Sequence, residues 1–263
     1  MRKDEKRGFE VNFNCKGTTR YLIVVTAVTL LLATGSIAQE DTKSEKSEQS
    51  GIAKRLYAAS IVLNEIMGTP DKAIPDKILD DAECIAVVPS VVKVAVVFGG
   101  SHGKGMATCR TARGWSGPAP ITVTGGSLGL QLGGQATDLV MLVMNQKGMQ
   151  HLLLSKFKIG ADASAAAGPR GRDGGAATDW EMKSELLTYS RSRGIFAGID
   201  LNGTAVTQDK DETHILYGKM IPFESILTGK VPAPKESRAF LGTVKKYAPQ
   251  QIQRGSLAKP EPK

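Results

Sequence analysis

The stretch VAVVFGGSHGKGMATCR, residues 94–110, sets a glycine cluster and a lysine between two apolar runs. A Gly-Lys pair ends a phosphate-cradling loop, so nucleotide chemistry is the first to test. Such a loop needs a glycine five places before Gly103 and a hydroxyl residue after Lys104. Those positions hold Phe98 and Gly105. The loop must also lead into a helix, whereas Gly105–Thr111 reads as a strand. The dinucleotide pattern fails too, because no glycine falls three residues after Gly105. The cluster is expected as a glycine-rich hairpin bend that displays Lys104 at its tip.

A second stretch, Gly125-Gly126-Ser127-Leu128-Gly129, matches G-x-S-x-G, the nucleophile elbow of hydrolases. His214 and several aspartates follow it in the required chain order. The elbow needs a helix directly after the serine. Here Leu128, Leu130 and Leu132 alternate with Gly129, Gln131 and Gly133, which is the period of a strand. Ser127 is expected on its small, polar face, where a backbone or ligand can approach closely. No residue is assigned a catalytic role, and the chain is read as non-enzymatic.

Metal and nucleic-acid chemistry find little support. His102, His151 and His214 are scattered, and no Cys-x-x-Cys or His-x-x-x-His spacing occurs. Asp209, Asp211 and Glu212 lack the glycine of a calcium loop and read as a solvated turn. Arg110, Arg113 and Trp115 are too few for a basic, aromatic-studded nucleic-acid surface. No metal, cofactor or nucleic acid is expected.

The elements that would position these residues follow from periodicity. Ile52, Leu56, Ala59, Leu63 and Ile66 recur at three- and four-residue steps, predicting an amphipathic helix over Gly51–Met67. Lys54 and Arg55 flank its apolar stripe. A short helix is predicted over Ile74–Asp81. From Cys84 the period changes to that of strands: Cys84–Val88, Val91–Phe98, Gly105–Thr111, Ile121 to Leu132, and Asp138–Met144. Gly148–Leu154 reads as a short helix or turn. Leu186–Ser190 and Gly194–Leu201 form a hairpin pair closed by Arg191-Ser192-Arg193. Asn202-Gly203 signals a turn, with Thr204–Thr207 as the return strand. Asp211–Tyr217, Phe223–Leu227 and Glu236–Tyr247 are read as helices. The fold class is α+β: a single domain with a mainly antiparallel, strongly curved, glycine-rich sheet, flanking helices and an N-terminal amphipathic helix.

Residues 1–38 read as an export signal. Six Lys/Arg precede an apolar run, Tyr21–Ala33, and Gly35-Ser36-Ile37-Ala38 ends in a small-x-small pattern. Cleavage after Ala38 is expected; the alternative is a retained anchor over residues 21–33. The removed segment carries six Lys/Arg and three Asp/Glu, so the formal net charge falls from +8 to +5. That mild excess suits an anionic surface without requiring one. Gln39–Ser50 reads as a flexible polar leader, 51–248 as the folded domain and 249–263 as a loose tail. Cys84 and Cys109 remain after cleavage. They are open to a disulfide in an oxidising compartment or to a life as two buried thiols.

Several stretches together carry a family likeness. They are Phe98-Gly99-Gly100 with Gly103 and Gly105; Trp115-Ser116-Gly117-Pro118; Gly126 to Gly133; Phe157-Lys158-Ile159-Gly160 with Asp162; Ala167-Gly168-Pro169; Tyr189 to Gly198; and Tyr217-Gly218 with Ile226 to Gly229. In this order they resemble the SYLF domain, over most of residues 51–230. The resemblance implies a non-enzymatic domain that binds lipid head groups. In eukaryotic relatives it implies phosphoinositide binding, and in some fungal relatives actin binding. An export signal would separate this chain from cytosolic actin.

The expected function is that of an exported, lipid-binding protein of the cell envelope, periplasmic or secreted and peripherally attached to membrane. Lys54, Arg55, Lys93, Lys104, Arg110 and Arg113 are the expected head-group contacts, with Trp115 as an interfacial anchor. The expected partners are anionic lipids or a membrane surface. The alternative is a structural or scaffolding envelope protein that binds protein partners.

Overall fold

The computed structural model describes residues 37–69, 74–95, 98–128, 133–169, 184–192, 195–197 and 201–249. The expected signal peptide up to residue 36, the anchor alternative at 21–33 and the tail beyond Pro249 lie outside the described residues. The chain divides into two compact units, Met1–Glu48 and Gln49–Lys263. In the first, the described residues 37–48 are helical.

The second unit is built on a ten-stranded, strongly curved mixed sheet that forms a half-barrel with flanking helices. Its strands are β1 (Cys84–Ala95), β2 (Phe98–Thr111), β3 (Gly114–Trp115), β4 (Ala119–Leu128), β5 (Gly133–Val143), β6 (Lys156–Lys158), β7 (Ala165–Ala167), β8 (Leu186–Ser192), β9 (Ile195–Ala197) and β10 (Ala205–Gln208). The spatial order is β6-β10-β4-β2-β1-β5-β8-β7, with β3 added to β2 and β9 to β8. The described pairs are antiparallel apart from β7 on β8. The helices are α1 (Ile37–Met67), α2 (Asp76–Asp81), α3 (Gln146–Leu153), α4 (Lys210–Tyr217), α5 (Phe223–Leu227) and α6 (Arg238–Tyr247).

Strand alternation gives the sheet two apolar faces. Ile85, Val87, Met106, Val140, Leu142 and Leu187 meet α1, α2 and α6 on one side. Ala86, Val88, Ala107, Ile121, Leu139 and Met141 meet α3, α5 and Phe157 on the other. Helix α1 buries its predicted stripe: Leu56, Ala59, Leu63 and Ile66 are fully enclosed and Ile52 nearly so. At ~1.5–3 kcal/mol per large apolar side chain, that burial stabilises the fold by about 10 kcal/mol. This is comparable to the whole stability of a typical domain. The stripe is therefore committed to the protein's own core.

Three expectations change. Gln39–Ser50, expected as a flexible leader, is helical and lengthens α1 to 31 residues. The segment has neither Gly nor Pro and is rich in Glu, Lys and Gln, so a helix nucleated over the apolar stripe propagates into it. The glycine cluster is not a hairpin bend. Gly99, Gly100, Gly103 and Gly105 run inside β2, and Lys104 stands mid-strand opposite Thr122. Residues 96 and 97, between β1 and β2, lie outside the described residues, as do Gly129–Leu132; Ser127 of β4 pairs with Gly99. Finally, the return strand after Gly203 does not pair with the strand before it. β10 crosses to lie between β4 and β6.

The glycines of β2 answer a bulge in β1. Pro89 and Ser90 insert one extra residue against both neighbours, because the register of β1 shifts between Val87 and Val92 in its pairing with β2 and between Val88 and Val91 in its pairing with β5. Ser90 takes a left-handed conformation, φ 61°. Its N–H donates to Asp138 Oδ1 at 3.0 Å. Asp138 Oδ2 accepts from Arg191 Nε and Nη2 at 3.1 and 2.6 Å. Arg191 also pairs with Glu65 of α1. The expected hairpin-closing role of Arg191 thus gives way to a tie between bulge, β8 and helix. The bulge presses β1 onto β2 so closely that a Cβ on Gly105 would lie 2.3 Å from Val87 O.

Two stability predictions follow. A methyl group at that distance from a carbonyl has no room, so Gly105→Ala should lower unfolding stability by roughly 1–3 kcal/mol in denaturant melts; an unchanged midpoint would refute the close-approach account. Cys84 and Cys109 face each other across β1 and β2 and are joined as a disulfide, 25 residues apart in sequence. Replacing both by Ala should cost roughly 2–4 kcal/mol, read in the same melts.

Candidate functional site

The predicted basic residues divide into separate settings. Arg55 of α1 and Lys104 of β2 come together over the start of α4. Asp209 caps that helix, its Oδ1 accepting from the Glu212 N–H at 3.0 Å. Its Oδ2 accepts from Thr122 Oγ1 at 3.0 Å and pairs with Lys104 Nζ at 2.7 Å. Glu212 Oε1 accepts from Lys104 Nζ at 3.0 Å and pairs with Arg55. Both carboxylates are buried, at 8% and 6% exposure. Glu212 Oε2 is enclosed without a hydrogen-bond partner among the described residues. The solvated turn expected at 209–212 is thus a buried ion-pair cluster; only Asp211 of the three acids is exposed.

The charges in this cluster support one another. Burial acts to lower the Lys104 pKa, but hydrogen bonds to Asp209 and Glu212 outweigh it and raise it. Burial acts to raise Asp209, but the bonds from Lys104, the Glu212 N–H and Thr122 outweigh it and lower it. Two cations and two anions leave the cluster nearly neutral.

Arg110 and Trp115 form a second setting. The guanidinium stacks 4.6 Å from the indole centroid. It donates to Ala82 O at 2.9 Å, Leu79 O at 3.0 Å and Pro249 O at 2.8 Å. Burial lowers its pKa. Trp115 is 8% exposed, and its Nε1–H donates to Ala248 O at 2.8 Å. The pair fastens the end of α2 and the residues after α6 to β2, and in this conformation the ring packs inside the protein.

Lys54 and Arg113 are exposed. Arg113 donates through Nη2 to Gly229 O at 3.0 Å and borders a cleft of about 330 Å³. Thr111, Trp115 and Gly117 line one side of it; Lys230, Val231 and Pro232 line the other. Lys93 pairs through its backbone with Ser101 and Gln135, and its side chain lies outside the described residues. Sequence reasoning missed Asp209, Glu212 and Lys230. The signal for Asp209 was present: an Asp at the position before a helical run is a strong N-cap.

The half-barrel with its bulged β1 and flanking helices defines an α+β fold class. The comparisons give the family. Residues 124–247 match the model of Ysc84, described as "Las17-binding protein actin regulator". LAS seventeen-binding protein 3 of Saccharomyces cerevisiae is 30% identical over 228 residues, 82% of this chain and 48% of the relative. Protein YSC84 of the same yeast is 30% identical over 211 residues, 75% of this chain and 44% of its own. The human SH3 domain-containing YSC84-like protein 1 is 28% identical over 194 residues, 73% of this chain and 56% of its own. The chain belongs to the SYLF (Ysc84) family. It spans about half the length of these relatives, of which the first is named as a binding protein and the third as an SH3 domain-containing protein.

The cluster predicts a specific acid response. Asp209 has a pKa below its ordinary 3.8, so its stabilisation is full above that value and is lost as pH falls through the lower folded value. Asp209→Asn keeps a helix-capping side chain but removes the charge. It should cost about 1–2 kcal/mol at pH 7 and flatten the loss of stability below about pH 4, measured by denaturant titration across pH. An acid limb as steep as the parent's would show that Asp209 does not carry it.

Proposed function

We propose that this protein is an exported, non-enzymatic domain that binds anionic membrane surfaces peripherally. The observation that carries the reading is the outer face of α1. With its apolar stripe turned inward, the helix still exposes Tyr57 at 62% and Ile61 at 39%, one and two turns beyond exposed Lys54. A tyrosine, an aliphatic tip and a lysine on one helix face suit the boundary between head groups and water. Arg113 adds an exposed cation elsewhere. Arg55, Lys104 and Arg110 contact lipid only by exchanging partners they already hold, so they contribute less. The Cys84–Cys109 disulfide supports an oxidising compartment. The run of basic then apolar residues before Ala38 supports export, with cleavage there.

The test is co-sedimentation of the mature protein with vesicles. Binding is expected to phosphatidylserine-containing vesicles at low salt, falling as salt rises, and absent on phosphatidylcholine alone. The double variant Tyr57→Ser/Ile61→Ser should weaken it roughly ten-fold, the worth of about 1.4 kcal/mol of lost apolar burial. No binding to the anionic vesicles at low salt would overturn the lipid reading. A protein purified from its native host that does not begin at Gln39 would overturn the cleavage.

A second reading is a scaffold for protein partners in the envelope. It is favoured by the name of the yeast relative, a LAS seventeen-binding protein. It predicts a capture that survives detergent and shows no dependence on lipid charge.

A further inference from the structure

The cleft beside Arg113 carries a function of its own. It lies between the β2–β3 turn and the segment after α5, and its volume of about 330 Å³ stands at the small end of ligand sites. Two cations border it, Arg113 and Lys230, and no carboxylate is among the described residues that line it. Arg113 spends one of its N–H donors on Gly229 O, which holds the guanidinium at the rim. Lys230 is held at 3.3 Å by Glu224, with both side chains more than half exposed. Such a pair is worth little and yields to a better anion.

The site is shaped as well as charged. Gly229 has φ +72°, and a Cβ there would meet Thr111 Cγ2 at 3.0 Å. The chain therefore turns tightly over Thr111 and delivers Lys230 to the same opening as Arg113. Val231 and Pro232 supply an apolar wall opposite the Trp115–Gly117 strand end.

We propose that this cleft binds a phosphate monoester. The Arg113 fork and the Lys230 ammonium hold the dianionic phosphoryl oxygens, and a small uncharged body rests on Val231 and Pro232. Two positive charges match the two negative charges of a monoester, and an arginine fork matches its planar pairs of oxygens. The proposal goes beyond surface binding by α1. The phosphoryl group can belong to a soluble metabolite or to a monoester lipid head group, and the two sources are separable.

The experiment uses the full chain in two arms. Calorimetric titration with glycerol 3-phosphate, with glycerol as control, reads the soluble ester. Co-sedimentation compares vesicles of phosphatidic acid, a monoester, with vesicles of phosphatidylserine, a diester. Saturable binding of glycerol 3-phosphate, a preference for phosphatidic acid, or both, is expected. Arg113→Gln and Lys230→Gln should each weaken that binding by about ten-fold or more, while Lys245→Gln, at an exposed lysine of α6, leaves it unchanged. Thermal melts like the parent's certify that the variants fold, and exposed Lys230→Gln serves if Arg113→Gln does not. No glycerol 3-phosphate binding and no phosphatidic acid preference would overturn the proposal, as would variants that bind like the parent. Equal binding to both vesicle types with no binding of glycerol 3-phosphate would remove the cleft and leave the α1 reading standing. Ester binding without any vesicle binding would do the reverse.

Discussion

The close approach of β1 to β2 is the constraint on which the rest of this fold depends. One extra residue at Pro89-Ser90 pushes β1 out of flat register against both neighbours. The displaced valines come to rest where side chains on β2 would stand. A Cβ on Gly103 would lie 2.8 Å from Val88 Cγ1, and one on Gly105 closer still to a carbonyl. A bulge bends its strand and increases the local twist. Bending at the centre of the sheet, with glycines beneath, allows ten strands to curl into a half-barrel. The Asp138–Arg191–Glu65 tie then joins that bend to α1, so sheet curvature and helix placement are one problem with one solution.

A mildly basic chain offers fewer free cations than its composition suggests. Lys104 and Arg55 are absorbed by Asp209 and Glu212, and Arg110 by three carbonyls. These contacts hold elements together that lie far apart in sequence. Of the cations expected to contact head groups, Lys54 on the outer face of α1 and Arg113 at the cleft stay exposed among the described residues. Binding built on so few charges depends on shape and apolar contact as much as on net charge.

The elements were legible where their signal is local. The helix over Phe223–Leu227 has the predicted bounds, and the apolar stripe of α1 is buried as its spacing requires. Ser127 sits on a strand, as the leucine alternation demands. The glycine cluster was misread because glycine has two uses, at bends and at close approaches, and only the neighbouring strand decides between them. The burial of Asp209 and Glu212 was hidden for a similar reason. Their partners Lys104 and Arg55 lie 108 and 157 positions before Glu212, beyond any window of periodicity. The crossing of β10 to β4 and β6 likewise depends on partners that the local turn does not specify.

Strand β2 draws its last partners from very late in the chain. Trp115, just past its end, waits for Ala248, 133 positions later; Arg110 waits for Pro249, 139 positions later. Contacts of such range form only after a costly loop has closed, and folds rich in them form slowly. The seam that fixes α2 and the end of α6 to the sheet is therefore closed by residues more than 130 positions beyond the strand they complete. Until they arrive, the central strand already exists in sequence but lacks its edge. Completion of this domain is thus a matter of timing as well as of energy: the seam beside β2 can close only once residues 248 and 249 have reached it.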